Sequence, residues 1–236
     1  MRALLVRVGA DQSDGGGWWN APVDSKTGDF AYVPIPETKP LRRGYQKPYS
    51  LVAPAVHRLS SKLPAALSGS NMHLDPDFSY LTYGDQGQRA KQIRSKLGEG
   101  GLLVFYAGLS DINPAPRLIY AIIGVYVIAT IALATSVPQS SWDENAHTRR
   151  ILTPGATDIV VRARPDVSGR LQRYIPVGEF RSRAYRVTRP LLARWGGLTV
   201  KDGYLQRSAR LPEIGNAQAF YTWFIDQGVQ LIAQNN

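Results

Sequence analysis

The sequence predicts one α+β domain over residues 1–236, with a mixed, partly barrel-like β-sheet and flanking helices. Three apolar runs, at 3–8, 102–106 and 118–128, have the length and composition of buried strands. An amphipathic helix pattern from about 86 to 97 leads directly into the second of these runs. The chain therefore combines helices and strands, and it is long enough to bury a substantial core. Neither its length nor its composition requires division into two domains.

The chain begins with a strand pattern and a glycine-rich turn. Residues 3–8 are apolar except for Arg7, and three glycines at 15–17 follow Asp11 and Asp14. Glycines lack side-chain bulk, so a ligand could approach this backbone closely. The turn has neither the GxGxxG spacing nor the Lys-Ser/Thr pair of a phosphate-binding loop. Its two carboxylates, an amide and two indoles instead indicate weak metal binding, the binding of a base between rings, or acid–base chemistry. The alternative is a glycine-rich hairpin loop whose tryptophans pack in the core.

A proline-rich connection follows. Residues 30–35 alternate as a strand, 37–76 have little periodicity, and 54–67 can hold one or two helical turns. His57 and His73 lie here without partners at metal-ligand spacing, so a surface or structural role is favoured and no metal site is predicted.

The segment 78–109 combines an aromatic start, a Gly-Asp-Gln-Gly turn, a basic helix and a buried strand. Asp85 is expected to cap the helix, which would begin near 86–88. An apolar stripe of Ala90, Ile93 and Leu97 predicts its buried face. The following strand delivers Tyr106 to its end, where an aromatic ring could form one wall of a pocket for a planar ligand.

Residues 118–135 carry no charge and must be tested as a membrane span. The β-branched and aromatic content up to Ile128 favours a buried strand, and the alanines from Ala129 favour a short helix. The N-terminus lacks the cleavage site of a secretory signal, and we expect a cytoplasmic protein with no membrane partner.

The rest of the chain predicts a strand at 158–163, a short helix at 190–195 and a closing helix at 217–233. Phe220 and Phe224, four residues apart in the closing helix, are expected to pack in the core.

The charge balance is strongly basic and unevenly distributed. The net charge is +10 with a pI near 9.9, and residues 148–236 hold 14 Lys and Arg against 6 Asp and Glu. Thirteen of those 14 cations are arginines, whose planar forks suit phosphate oxygens and guanine edges. Nucleic acid is therefore the leading partner. The rival explanations are a merely soluble basic surface and the arginine-rich usage of some genomes or heat-adapted proteins. The chain has no cysteine, which excludes thiolate nucleophiles and cysteine metal sites.

Two polar segments in the second half favour chemistry or anion binding. The first, 140–150, surrounds His147 with an amide and two arginines, and a near-neutral imidazole is suited to proton transfer. An exposed helix end with solvated charges is the alternative. The second, 206–210, places an amide, two guanidiniums and a hydroxyl after an apolar-aromatic run, as expected of a reader of anions or base edges.

Several motifs together carry a family resemblance: ALLVRVGADQSDGGGWWNAPVD, GDFAYVPIPE, LDPDFSYLTYGDQGQRAKQI, LLVFYAGL, NAHTRR and YLQRSAR. The combination resembles the nucleotide-modification-associated domain family, third type, over most of the chain. The resemblance implies a role in modifying or recognising bases but brings no settled reaction. A second likeness is architectural: the basic helix, GGLLVFYAG and IYAIIGVYVI are similar to the core of EVE, ASCH and other PUA-like domains, which are small mixed barrels that bind nucleotides or bases.

The leading hypothesis is a DNA base-modifying enzyme, of transferase type, that flips a base onto aromatic rings and holds phosphate with arginines. A non-catalytic reader of a modified base and an RNA-directed enzyme are the alternatives. The predicted proton-transfer residues are Asp11, Asp14, Asp85 and His147. The predicted nucleotide-binding residues are Gln12, Trp18, Trp19, Asn20, Tyr83, Gln86, Arg89, Tyr106, Asn145, Arg149, Arg150, Gln206, Arg207, Ser208 and Arg210. The sequence specifies no cofactor, and DNA is favoured over RNA as partner; the oligomeric state stays open.

Overall fold

The computed structural model describes residues 1–12, 17, 19–114, 117–205 and 207–236. The strands are β1 (Ala3–Arg7), β2 (Pro22–Val23), β3 (Ile35–Pro36), β4 (Met72–His73), β5 (Thr82–Asp85), β6 (Leu102–Asp111), β7 (Leu118–Leu133), β8 (Ile159–Ala163), β9 (Gly169–Pro176), β10 (Gly178–Arg181), β11 (Ala184–Val187) and β12 (Leu231–Ile232). The helices are α1 (Ala53–Arg58), α2 (Ala65–Ser68), α3 (Gly87–Lys96), α4 (Ala146–Arg149), α5 (Arg189–Arg194) and α6 (Ala217–Asp226).

A mixed eight-stranded sheet organises the fold. Its main path runs β1-β6-β7-β8-β5; β2 joins β6, β9 joins β7, and β12 joins β9. β1 and β2 run parallel to β6, and the other pairs in the sheet are antiparallel. The α+β class is therefore confirmed. The sheet does not close into a barrel, because the outer edge of β1 bonds to the segment 212–214 and not to β5.

Alternate residues of the central strands face two separate cores. On one face, Leu4, Val6 and Phe105 join the aromatic residues of the segment 30–49 and the buried side of α3. On the other face, Leu5 and Val104 meet the side chains of α5 and α6. The period of two along each strand explains why these runs are apolar throughout: both faces of the sheet are covered.

The uncharged segment 118–135 is mostly strand. β7 runs to Leu133, so the helix expected from Ala129 is wrong, because Thr130–Leu133 pair with β8. The glycine in the middle of the strand, Gly124, lets Phe78 pack on the sheet, since a Cβ there would lie 2.4 Å from the Phe78 ring. No helix among the described residues is long and apolar enough to span a bilayer.

The basic helix α3 begins at Gly87, as the pattern predicts, but Asp85 does not cap it. Asp85 belongs to β5, and its carboxylate accepts hydrogen bonds from the Tyr83 hydroxyl and the Gln86 N–H. Gln86 stands at the N-cap without a side-chain bond. The predicted stripe of Ala90, Ile93 and Leu97 is buried, as expected.

Three other segments differ in extent from the sequence patterns. Residues 30–34 form no regular strand: Phe30 makes an isolated bridge with Val23, and Ile35–Pro36 pair with β4. The closing helix stops at Asp226, and Leu231–Ile232 add a strand beside β9. Phe220 and Phe224 are both buried in the second core, as predicted.

Many arginines of the basic half form ion pairs at the surface. Arg162 contacts Glu144, Arg164 contacts Glu99, and Arg181 joins Glu179 to Asp202. Part of the positive charge seen in the sequence is therefore engaged within the molecule.

Candidate functional site

A polar cavity of about 270 Å³ opens where the start of the sheet meets β5, α3 and α4. Its lining joins residues that are far apart in the chain. They are Arg7, Val8, Gly9, Ile35, Pro36, Thr38, His73, Asp75, Tyr83, Gly84, Asp85, Gln86, Arg89, His147, Arg150 and Arg207.

The short ladder between β3 and β4 positions the first histidine. Ile35 pairs with His73, and Glu37 follows directly after β3. The His73 Nδ1 lies 2.7 Å from a Glu37 oxygen. Arg150 Nη2 also lies 3.1 Å from this nitrogen, but the shorter contact is with an ionised carboxylate, which only accepts; we therefore assign the proton to Nδ1, and the Nε2 atom faces Asp75 at 3.8 Å.

The second histidine lies in α4. The side chain of Asn145 accepts the His147 N–H at 2.8 Å, which fixes the start of this short helix. The His147 Nδ1 contacts Asp158, just before β8, at 2.6 Å, and its Nε2 lies 3.6 Å from Asp75. Each histidine thus has a carboxylate behind it, and both turn their Nε2 atoms toward Asp75.

Gly84 of β5 supports the carboxylate between the two rings. Its N–H donates to both Asp75 oxygens at 2.9 Å. A Cβ at this position would lie 2.3 Å from His147 Cδ2 and 2.7 Å from the Asn145 amide oxygen. β5 can therefore pass this close to Asn145 and His147 only because residue 84 is a glycine.

The pKa values of this cluster depart from their usual range. Burial opposes ionisation of Glu37, but the hydrogen bonds from His73 and Arg150 outweigh it and lower its pKa to about 2. Burial lowers the pKa of His73 to about 4, against the opposing hydrogen bond to Glu37. Burial raises the pKa of Asp75 well above its usual range, despite the Gly84 N–H. His73 is therefore a neutral imidazole near pH 7.

Four guanidiniums also line the cavity. Arg150 binds both Glu37 oxygens at 2.8–3.1 Å, and Arg89 pairs with Asp85 at 2.9 Å. Asp11 contacts both Arg7, at 2.9 Å, and Arg207, at 3.5 Å. Buried Asp11 thus lies beside two of the arginines that line the cavity and orients them.

The structure brings many of the predicted site residues to this cavity. They are Asp85, His147, Tyr83, Gln86, Arg89, Arg150 and Arg207. Buried Tyr106 lies in an adjacent cleft, which it shares with Ser208, Arg210 and three of the cavity's arginines. Burial raises the pKa of Tyr106 above its usual range.

Other predicted residues lie elsewhere. Gln12, Trp19 and Asn20 line a second cavity of about 290 Å³, and the Asn20 amide donates to Gly108 on β6. Asn145 and Arg149 are buried and bind protein groups: Asn145 caps α4, and Arg149 pairs with Asp77 at 2.6 Å. Because the Arg149 guanidinium is buried, it cannot contact a phosphate in the cavity. Asp14, Trp18 and Gln206 lie outside the described residues.

Sequence reasoning missed the partners of His147. Glu37, His73, Asp75 and Asp158 are absent from the predicted site residues. The surface role considered for His73 is wrong, because His73 is buried against Glu37 and Arg150. One signal was present: the two-residue spacing of His73 and Asp75 puts both side chains on one side of an extended chain.

Three polar donors of this cluster lie close enough to hold a metal ion. Ligand atoms of His73, Asp75 and His147 all fall within 4.8 Å of one another. Two imidazoles and a carboxylate also suit proton transfer. The cavity therefore combines groups for chemistry with groups for binding anions.

Comparison with known proteins gives one family. No curated protein and no solved structure matches the chain significantly, and the expected PUA-like likeness is accordingly not confirmed. A family model described as nucleotide modification associated domain 3 matches residues 2–222 of the 236. This match spans every residue of the cavity lining, and it associates the chain with nucleic acid modification. The chain belongs to the nucleotide modification associated domain 3 family.

Proposed function

We propose that this domain is an enzyme that modifies a base of nucleic acid, DNA in preference to RNA, inside the cavity between β5, α3 and α4. One observation carries the proposal: the same cavity is lined by Asp85, by four arginines and by His147, whose ring is held from behind by Asp158. Groups that move protons and groups that bind phosphate are the two requirements of such a reaction.

The arginines support binding of a phosphorylated ligand. Arg7, Arg89 and Arg207 line one continuous stretch that also reaches the adjacent cleft. Each guanidinium can bind two phosphate oxygens at once. Asp11 and Asp85 hold all three arginines in place before the ligand arrives. We therefore assign the phosphate to this stretch.

The size of the cavity favours a single nucleotide unit. The cavity volume of about 270 Å³ is close to the smallest volumes of small-ligand sites, roughly 300 Å³. A base within a duplex would have to leave the stack to enter it, as enzymes acting on bases require.

Asp85 and His147 are the groups we assign to the reacting end. Asp158 accepts the Nδ1–H of His147, which leaves Nε2 able to accept a proton or bind an electrophile. Asp85 is less free, because the Tyr83 hydroxyl bonds it at 2.5 Å and Arg89 pairs with it.

That engagement of Asp85 favours a second candidate function. A carboxylate whose oxygens already bind a guanidinium and a hydroxyl has fewer lone pairs left for a substrate, so the same cavity could bind a modified nucleotide without changing it. A reader and an enzyme would share the cationic lining and differ in whether Asp85 and His147 are needed beyond binding.

Mass spectrometry of nucleosides separates these functions. DNA and RNA are isolated from cells that express the wild-type chain, Asp85→Asn, or Asp166→Asn, an exposed aspartate outside the cavity that serves as the matched control. We expect a modified nucleoside in DNA with the wild type and the control, and its loss with Asp85→Asn.

Binding of single-stranded DNA by the purified variants completes the test. Retained binding by folded Asp85→Asn together with lost modification supports the enzyme. Binding by the wild type with no modified nucleoside in either nucleic acid supports the reader. A modified nucleoside in RNA alone overturns the preference for DNA.

A further inference from the structure

His73, Asp75 and His147 form a compact set of ligand atoms inside the protein. All three side chains are at least nine-tenths buried, and their ligand atoms lie within 4.8 Å of one another. The Nε2 atoms stand 3.8 and 3.6 Å from the same Asp75 oxygen, which is too far for a hydrogen bond. Ligand atoms around a tetrahedral zinc lie roughly 3.3 Å apart, given bonds of about 2.0–2.1 Å.

The carboxylates behind the rings fix which nitrogen is available. Glu37 and Asp158 accept the Nδ1–H of His73 and His147 at 2.7 and 2.6 Å. A histidine that binds a metal donates its other ring N–H in this way, and the partner sets both tautomer and ring direction. The same partnership occurs twice here, on two histidines separated by 74 residues, and both remaining nitrogens converge on one carboxylate.

Rigid elements hold the set. His73 belongs to the β3–β4 ladder, α4 carries His147, and the Gly84 N–H bonds both Asp75 oxygens. The Asn145 amide, besides capping α4, lies 3.4 Å from the other Asp75 oxygen. The donors are therefore prearranged and need little movement to close on an ion.

We propose that His73, Asp75 and His147 bind one divalent first-row transition ion, through the two Nε2 atoms and a carboxylate oxygen of Asp75. Two imidazoles and one carboxylate are the donor set of catalytic zinc and of non-haem iron(II) sites, whereas magnesium and calcium take oxygen donors. Three protein ligands leave coordination positions for water or substrate, and all three residues line the cavity.

A structural cluster of hydrogen-bonded histidines is the competing explanation. It accounts for the Nδ1 contacts with Glu37 and Asp158. It does not account for two Nε2 atoms turned toward Asp75 at distances beyond a hydrogen bond. An ion between them satisfies both nitrogens and the carboxylate at once.

The metal site stands on this geometry and does not depend on the proposed function. If both hold, the ion occupies His147 Nε2, Asp85 remains for proton transfer, and a bound water or substrate oxygen is polarised beside the arginines. A cation here also explains how a carboxylate as buried as Asp75 is tolerated.

Metal binding by the purified full chain tests the proposal. Protein stripped with EDTA is titrated calorimetrically with zinc, manganese and, without oxygen, iron(II), and bound metal is counted by elemental analysis. We expect one ion per chain, with loss of binding in His73→Ala and His147→Ala. His57→Ala is the matched control, because His57 is exposed on α1 and is the one histidine of the chain outside the proposed site.

A variant of Glu37, which holds the His73 ring from behind, gives a second test. Glu37→Gln keeps the ligands but weakens the orientation of His73, and we expect affinity to fall roughly 10- to 100-fold. If an alanine variant does not fold, ¹⁵N chemical shifts of the wild-type histidines decide: zinc should move the Nε2 signals of two histidines and leave His57 unchanged.

No binding by the wild type, or equal binding by folded His73→Ala and His147→Ala, overturns the metal site. Metal binding without any modified nucleoside would leave the site standing and count against the proposed enzyme. Modified nucleosides produced by a protein that binds no metal would support the proposed enzyme and count against the metal site.

Discussion

At the residue scale, Gly84 decides whether the site can exist. Its backbone passes so close to His147 that a methyl group would lie 2.3 Å from the ring, while its N–H holds Asp75. Gly84 therefore helps to set the distance between the His147 ring and the Asp75 carboxylate. Arg149 and Arg150 are adjacent in one motif but have different surroundings. Arg149 is buried against Asp77, whereas Arg150 lines the cavity.

Gly84→Ala should destabilise the protein by about 1–3 kcal/mol, the usual cost of overpacking a tight interior. It should also displace His147 and lower metal affinity. Urea unfolding and metal titration measure the two effects. Gly98→Ala is the control, because a Cβ there would meet nothing within 4 Å. Wild-type stability in Gly84→Ala would contradict the contact.

At the element scale, the end of β6 is tied to the turn after β2 by one carboxylate. Asp111 accepts from the N–H of Ser25 at 3.2 Å and from the Asn113 amide at 2.9 Å. Burial works against ionisation of Asp111, but these hydrogen bonds outweigh it and lower its pKa to about 2. β2 is only two residues long, so this tie matters for its position beside β6.

The lowered pKa of Asp111 predicts a pH dependence of stability. A carboxyl whose pKa is near 3.9 unfolded and about 2 folded stabilises the protein above pH 4, and the contribution disappears as pH falls through 2. Asp111→Asn should cost about 1–2 kcal/mol at pH 7 and progressively less below pH 4.

Urea unfolding of wild type and Asp111→Asn between pH 7 and 2 measures that difference directly. Asp166→Asn is the control, since Asp166 is exposed on a turn. A difference between wild type and Asp111→Asn that stays constant over the whole pH range would exclude the proposed linkage.

At the scale of the whole molecule, the cavity draws on both ends of the chain. Arg7 comes from the first strand and Arg207 from the segment that runs toward the edge of that strand, and both contact Asp11. The histidine cluster comes from the middle of the chain. Folding of the entire domain is therefore required to bring the cationic side and the histidine side together.

If the cavity binds phosphate, removing one cation should reduce the dependence of binding on salt. Arg207→Ala should weaken binding of single-stranded DNA and lower the slope of log K against log salt by about 0.7. Fluorescence anisotropy over a range of salt concentrations measures both quantities.

Arg194→Ala is the matched control, because Arg194 pairs with Asp226 between α5 and α6, away from the cavity. The same change in slope for both variants would show that general charge, and not the cavity, drives binding.

Local patterns were enough for the elements whose side chains repeat with a regular period. The strands β1, β6 and β8, the buried stripe of α3 and the family all follow from the order of residues, because hydrophobic periodicity and motifs are properties of neighbouring positions. The end of β7 and the position of Asp85 in β5 did not, since both depend on pairing with the distant strand β8.

The sequence alone determined an α+β class, a basic chain and seven of the residues that line the cavity, among them Asp85 and His147. Only the tertiary structure decided that His73 and Asp75 stand beside His147, that Arg149 is buried, and that the sheet stays open. The physical reason is that a site is a set of distances between atoms. Strand pairing and side-chain packing set those distances across 74 residues of chain between the two histidines.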